Sequence, residues 1–336
     1  MRLLVIGGSV FVGAGIVSEL LERGHAVTVL NRGKTKDPHG DRVARLRADR
    51  REPGALRRAI ASESPFDAAI DVSAFEGADT EAAIDSLAGR TGHFVHVSTG
   101  QVYLVLRSCG KPAREDEYAG ETIAPPPHPE DQWDYRYGLG KRACEDALVR
   151  AGEERGFPAT RVRIPVVHGP GDNQRRLTAY LARFRDGGPV LMQDGGGRIA
   201  RHVDARDVAA AVARIVETRA LVGRAVNVAW TEMPSAREVV GELARLAGSM
   251  APIVPVSRRA LAANGLLPAA TPLGGPWASI IDPGLAAREI GFVARPWRET
   301  IRWVADAFAR GETGTPPGLE NRDREIALAR ESASSG

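Results

Sequence analysis

A tyrosine and a lysine stand four residues apart in the run YRYGLGKRACEDAL, as Tyr137 and Lys141. On a helix that spacing puts both side chains on one face. A tyrosine with the ordinary pKa of about 10 is a poor base at neutral pH. An ammonium beside it favours the phenolate and lowers that value. The pair can then give a proton to, or take one from, an oxygen on a carbon that exchanges hydride. Thr99, in STGQVY (Ser98–Tyr103), supplies a hydroxyl able to hydrogen-bond the same oxygen. With five tyrosines and four lysines (Lys34, Lys36, Lys111, Lys141) in the chain, chance supplies this spacing about 0.06 times. The other reading of the pair is a surface tyrosine on an amphipathic helix.

Hydride chemistry needs a carrier, and the run GGSVFVG (Gly7–Gly13) has the layout of a nucleotide-binding turn. It follows the apolar RLLVI and precedes a helical pattern and a second apolar run, AVTVL. Such a turn needs little bulk where backbone and pyrophosphate meet, and the helix start offers free N–H groups and a positive dipole end. Gly7, Gly8 and Gly13 meet that need, whereas Val10 stands where many such turns carry glycine. The second run ends in Asn31, Arg32 and, two further on, Lys34. A carboxylate there would accept from the ribose 2′-OH of NAD, whereas a guanidinium pairs with the 2′-phosphate of NADP. The expectation is NADP(H), with NAD(H) possible; Arg32 as a solvated turn residue is the alternative.

These groups must be held at the carboxyl edge of a sheet. Short Val- and Ile-rich runs at Arg2–Ile6, Ala26–Leu30, Val43–Arg47, Ala68–Val72, His93–Ser98 and Thr160–Ile164 read as buried parallel strands. Helical patterns lie between them at Val12–Arg23, Pro53–Ser62, Ala78–Arg90 and Tyr137–Arg155. The alternation predicts an α/β fold: a Rossmann-type, doubly wound parallel sheet over residues 1–165. Beyond Pro165 the pattern loosens, and a smaller substrate-binding region is expected over 166–325, interleaved with the first domain. It contains a turn cluster at His168–Asn173, a helix at Arg175–Asp186, then a strand-like piece and a helix at Asp204–Thr218, and a returning strand at Ala225–Ala229. A further helix is expected at Ser235–Ala247, with Ser235 and Glu238 as a capping box. Residues Leu104–Trp133 read as a long functional loop, and residues 326–336 as a frayed tail.

Bulk properties narrow the class. The chain has 336 residues, 43% apolar and 26% charged, with a formal net charge of +3. No stretch approaches the ~20 apolar residues of a membrane span, and the N-terminus enters a strand without a signal-peptide layout. Two cysteines, Cys109 and Cys144, form no metal or redox spacing, so no metal site and a reducing, cytoplasmic setting are expected. The small positive balance suits an anionic cofactor. Without long basic runs it argues against nucleic acid.

In their order and spacing, GGSVFVG, STGQVY, YRYGLGK and RIPVVHGPGDN resemble the extended short-chain dehydrogenase/reductases, the NAD-dependent epimerase/dehydratase group. The resemblance covers nearly the whole chain and is strongest over residues 1–210. It implies Thr99, Tyr137 and Lys141 as the catalytic set, with Lys141 also on the nicotinamide ribose. It places Asp49 on the adenine and Arg32 at the cofactor-selecting position. The implied cofactor set is Gly7, Gly8, Ser9, Val10, Phe11, Val12 and Gly13, then Asn31, Arg32, Lys34, Asp49 and Arg50. Val72, Ser73, Ala74, Ile164 and Val166 complete it, besides Tyr137 and Lys141. The resemblance also implies a homodimer through the helices at 78–90 and 137–155. The turn further resembles a bacterial and plastid branch reading GGTxFxG, which includes chloroplast stem-loop RNA-binding proteins. RNA binding on the same fold is therefore the rival expectation, beside a non-catalytic NADP(H) sensor.

Departures from the resemblance narrow the reaction. In the sugar-nucleotide dehydratases an acidic residue follows the catalytic threonine by one or two places; here those places hold Gly100 and Gln101, so dehydration is not expected. Of the two arginines that grip a nucleotide diphosphate, one position holds Ala200 and the segment PWASIID lacks the other. Arg175, Arg176 or Arg201 could substitute. The expected substrate set is Thr99, Gly100, Gln101, Trp133, Tyr135, His168, Arg175 and Arg201. His96, His168 and His202 share no metal-ligand spacing and read as structural. The expectation is an NADP(H)-dependent oxidoreductase or epimerase. It would move hydride at a secondary alcohol or ketone of a sugar-like or other small polyfunctional substrate.

Overall fold

Strands such as RLLVI and FVHVST carry apolar residues on both faces, and a sheet covered by helices on each side buries them. The computed structural model describes residues 1–334. In chain order its strands and α-helices are β1 (Arg2–Ile6), α1 (Phe11–Glu22), β2 (Ala26–Asn31), β3 (Ala44–Arg47), α2 (Ala55–Ile60), β4 (Ala68–Asp71), α3 (Gly77–Leu87), β5 (Phe94–Thr99), α4 (Gln101–Leu104), α5 (Gln132–Arg155), β6 (Ala159–Ile164), β7 (Val166–His168), α6 (Arg176–Asp186), β8 (Val190–Gln193), β9 (His202–Asp204), α7 (Ala205–Thr218), β10 (Ala225–Asn227), α8 (Ala236–Leu246), β11 (Ile253–Val256), α9 (Arg258–Ala263), α10 (Gly284–Ile290), α11 (Trp297–Ala309) and α12 (Arg322–Ser334). Among the described residues no helix is long and apolar enough to cross a membrane.

The chain divides into two compact units. The first contains Met1–Pro165, Ala205–Ala229 and Ile281–Ala294, and the second Val166–Asp204, Trp230–Ile280 and the chain from Arg295. In the first unit one seven-stranded sheet runs β3-β2-β1-β4-β5-β6-β10, and every adjacent pair is parallel. This is the Rossmann-type doubly wound order, whose winding reverses between β1 and β4; ligands of such sheets bind beyond the carboxyl ends of those strands. Leu4, Ile6 and Leu30 share a buried cluster with Ile84 of α3 and Leu148 of α5. On another helix pair, α7 packs against α1.

Two local expectations are corrected. Helix α5 starts at Gln132 and not at Tyr137, because a turn at Pro129–Asp131 leads straight into it; Trp133 is therefore helical. The stretch before it is less open than its loop composition suggests. Leu106 bridges Thr122, Ile123 N–H donates to the Val105 carbonyl at 2.8 Å, and Glu117 accepts from the N–H groups of Gly110 and Arg114.

In the second unit, short parallel pairs β8–β11 and β7–β9 accompany helices α6, α8 and α11, which pack on one another. The Ser235–Glu238 capping box is present at the start of α8. Residues 326–334 do not show the expected fraying. They belong to α12, whose Leu328 and Ala329 enter a core with Leu191 and Val256. Its Glu325 is buried in an ion pair with Arg183 at 2.5 Å, and such tertiary contacts hold a helix that composition alone would not. The last two positions of the expected tail lie outside the described residues.

Candidate active site

Three glycines shape the first turn for different reasons. Gly7 has φ of +94°, and a Cβ on it would come within 2.7 Å of the Ser73 Cβ. A Cβ on Gly8 would meet Val17 Cγ2 at 2.7 Å, and one on Gly13 would run into the Gly7 carbonyl oxygen. The start of α1 is thereby pressed onto the end of β1. Val10 is the N-cap, in extended conformation, and Phe11 follows at φ of +42°. No side chain caps this end and no acidic residue lies in its first turn, so its N–H groups and dipole favour an anion. A cleft of about 480 Å³ opens here, lined by Gly7, Ser9 and Val10 of the turn. Val10 is 44% exposed and forms part of the wall, not a plug in the turn. Gly8, Phe11, Val12 and Gly13 do not themselves line the cleft.

The end of β2 forms the next part of the wall. The Asn31 amide donates to Ser9 Oγ at 2.8 Å, and its oxygen accepts from Gly33 N–H at 2.8 Å. The side chain thus ties the glycine turn to the loop that carries Arg32 and Lys34, both exposed on the cleft. Arg47 of β3 also reaches the Asn31 oxygen, at 3.4 Å. It packs so closely under Gly33 that a Cβ there would overlap its guanidinium.

Asp49 lines the cleft with its carboxyl held below the usual range by the backbone N–H of Arg51. Arg50 lines it too, but its guanidinium is committed to Asp71 at 2.7 and 2.9 Å, Ser73 Oγ at 2.9 Å and the Asp79 carbonyl at 2.8 Å. Burial works against the Asp71 charge, yet Arg50 beside it keeps the carboxyl below its ordinary value. Arg50 thus braces Ser73, the residue on which Gly7 rests. Val72 and Ala74 frame Ser73, and Ala74 is fully buried.

Tyr137 and Lys141, the pair expected to move a proton, sit on α5. Lys141 is buried, its Nζ donating to the Val97 carbonyl of β5 at 2.7 Å, and burial pushes its ammonium below the ordinary lysine value. Tyr137, one turn earlier, is half-buried. Phe75 is their common neighbour, with its ring centroid 5.7 Å from that of Tyr137 and 5.7 Å from Lys141 Nζ. Phe75 also lines the cleft beside the glycine turn. Thr99 closes β5 with 7% exposure, and its Oγ1 accepts from Gln101 N–H at 3.3 Å. Gly100 donates its N–H to the Ile164 carbonyl.

The two glycines between Tyr137 and Lys141 allow close approach. A Cβ on Gly138 would meet Val105 Cγ1 at 2.7 Å, and one on Gly140 would meet the Phe75 carbonyl oxygen. One turn beyond Lys141, the buried Glu145 accepts from Ser98 Oγ at 2.5 Å and pairs with Arg163 at 2.6 Å. This locks α5 to β5 and β6.

The expected substrate residues are divided between the two units. Thr99, Gly100, Gln101 and Trp133 lie in the first unit, where Gln101 donates to Asp134 Oδ1 at 2.6 Å. Tyr135 is buried with its hydroxyl on the Ile123 carbonyl at 3.0 Å, a packing role. His168, Arg175 and Arg201 belong to the second unit, as does Val166 of the cofactor set. There His168 is fully buried against His202, ring nitrogens 2.6 Å apart, with Trp230 packed on both rings. Burial pushes His202 down to about 3 and His168 well below its ordinary value. The two are a neutral pair sharing one hydrogen bond. Their 34-residue separation concealed it. Arg175 spends its guanidinium on the Thr315 carbonyl at 2.5 Å.

Phe75 and Arg47 carried no mark in the sequence. Each matters through a neighbour brought close only by the sheet.

A doubly wound sheet with a glycine turn at its switch point, and a Tyr-x-x-x-Lys helix beside it, defines a nicotinamide-dinucleotide-binding protein of the short-chain dehydrogenase/reductase type. The chain belongs to the NAD dependent epimerase/dehydratase family, whose model matches residues 3–229. It is 31% identical over 245 residues to 2′-dehydrokanamycin reductase of Streptomyces kanamyceticus, a match covering 69% of this chain and 64% of that protein. It is 21% identical to the chloroplast stem-loop binding protein of 41 kDa b of Arabidopsis thaliana, over 64% of this chain and 55% of the other. The chain thus aligns with less than two thirds of either relative. Among solved structures, UDP-glucose 4-epimerase of Thermus thermophilus in complex with NAD superposes with a TM-score of 0.70 at 25% identity, covering 92% of this chain and 99% of that one.

Proposed function

We propose that this chain is an NADP(H)-dependent oxidoreductase or epimerase acting at a secondary alcohol or ketone of a sugar-like or other small polyfunctional substrate. The observation that carries the reading is the placement of Tyr137 and Lys141 around Phe75, which itself lines the dinucleotide cleft. The close contacts at Gly7 and Gly13 fit the group, since a Cβ there would collide with Ser73 and with the Gly7 carbonyl and force the start of α1 away from the end of β1, where a pyrophosphate would meet the backbone. When bound, the nicotinamide supplies or accepts the hydride. When it binds, the free N–H groups at the start of α1, those of Phe11 and Val12, would hold its pyrophosphate beyond the cleft wall, and Arg32 and Lys34 would face a 2′-phosphate. Tyr137 holds a proton on its hydroxyl and passes it to, or takes it from, the substrate oxygen. Thr99 Oγ1 donates a hydrogen bond to that oxygen, and Lys141 keeps positive charge near the phenol. Gly100 and Gln101 offer no acid or base, so elimination of water is not part of this reading.

The test is Tyr137→Phe, assayed by nicotinamide absorbance over a panel of ketosugars and cyclitol ketones. Loss of a positioned general acid lowers kcat by about a hundred-fold or more, with NADPH still bound by the variant. Undiminished turnover in the variant would overturn the mechanism. Absence of turnover in both proteins, with RNA binding that weakens steeply as salt rises, would favour the nucleic-acid reading that the stem-loop relative raises.

A further inference from the structure

We propose that Trp133 is a substrate-stacking residue, and that the substrate carries its ketone or secondary alcohol on a saturated ring, a sugar or cyclitol. The proposal rests on the reading of Tyr137 as the proton-moving group. Trp133 stands one turn before Tyr137 on the same face of α5. Their rings lie within 10° of parallel with centroids 5.1 Å apart.

Packing an indole on the phenol does not require leaving it in water, yet Trp133 remains 55% exposed and Phe75 51%. A scattered exposed aromatic needs no explanation. Here Phe75, Tyr137 and Trp133 form one continuous run that begins in the dinucleotide cleft and ends in an open indole. An open aromatic face beside a reactive hydroxyl suits a ligand with a flat apolar face and a polar rim. A pyranose or cyclitol chair has both, C–H bonds on its face and hydroxyls around its edge. An open-chain oxo acid has neither.

The experiment uses the full chain with NADPH bound and separates binding from turnover. Methyl glucoside serves as an unreactive ring probe, scyllo-inosose as a ring ketone and acetoacetate as an open-chain oxo acid. Isothermal titration should show both ring probes binding the unaltered protein. Trp133→Leu should weaken them by about ten-fold, Trp133→Phe should recover part of the loss, and NADPH affinity should be unchanged, which also shows that the variants fold. The KM for scyllo-inosose should rise with the dissociation constant while kcat changes little. The proposal is overturned if neither ring probe binds, if Trp133→Leu binds them as well as the unaltered protein, or if acetoacetate binds as tightly and loses as much. Should ring binding depend on Trp133 while Tyr137→Phe retains full turnover, the catalytic reading fails and the stacking role stands. The converse result separates them the other way.

Discussion

Arg47 reaches Asn31 from the neighbouring strand and lies under the loop that carries Arg32 and Lys34. The sequence expectation of NADP(H) rested on Arg32 and Lys34; strand pairing sets Arg47 beside their loop, since Asn31 of β2 pairs with Arg47 of β3. A 2′-phosphate among these groups gains charge-assisted hydrogen bonds that a 2′-hydroxyl does not. Arg32→Ala and Arg47→Ala are each expected to weaken NADPH by about ten-fold and NADH hardly at all, as measured by calorimetric titration. Equal losses for the two cofactors would mean that neither arginine reads the 2′ position. The Tyr137–Lys141 spacing was legible because one helical turn is local. Phe75 was not, because its neighbours on α5 lie more than sixty positions away in the chain.

Helix α5 owes its closeness to the sheet to glycines that weaken it as a helix. Gly140 has no room for a Cβ because the Phe75 carbonyl occupies it, whereas a Cβ on Gly152 of the same helix would make an ordinary contact at 3.6 Å. Replacing an interior helical glycine by alanine otherwise stabilises by about 1 kcal/mol. Gly152→Ala is therefore expected to gain up to that amount. Gly140→Ala is expected to lose about 1–3 kcal/mol by overpacking and to lower activity by displacing Tyr137 and Lys141. Urea denaturation of the pair separates the cases, and two gains would refute the close-approach account. The start of α5 was misplaced from the sequence because the preceding turn hides the onset of its period. The capping box of α8 was readable because its signals lie three residues apart.

Over the whole molecule, buried histidines supply a pH response between about pH 6 and pH 4. Burial holds His93 at about 4, His96 at about 3 and His202 at about 3, against an ordinary value near 6.5. Each folded-state pKa is depressed, so the unfolded chain binds more protons on acidification. Their contribution is fully present above pH of about 6.5 and is lost as pH falls toward the folded values, at about 1.4 kcal/mol per pH unit for each. Denaturation midpoints should drop steeply between about pH 6 and pH 4, less so in His96→Leu if that variant folds. A flat profile over that window would contradict the burial of these rings as neutral groups.

The sequence alone determined the Rossmann-type sheet of the first unit, the glycine turn and the Tyr–Lys helix, because alternation, glycine punctuation and four-residue spacing are short-range signals. It marked only a strand-like piece where β8 lies and did not reveal β7, β9 or β11, strands of three or four residues whose stability comes from partners and not from pattern. Nor did it reveal α12, which a buried Arg183–Glu325 pair anchors across 142 positions. Only tertiary structure decided that His168 is a core residue paired with His202, that Tyr135 packs while Trp133 stays open, and that Phe75 joins the cleft beside the glycine turn to Tyr137 and Lys141. Those facts depend on which distant backbones meet, and that is settled by burial and strand order.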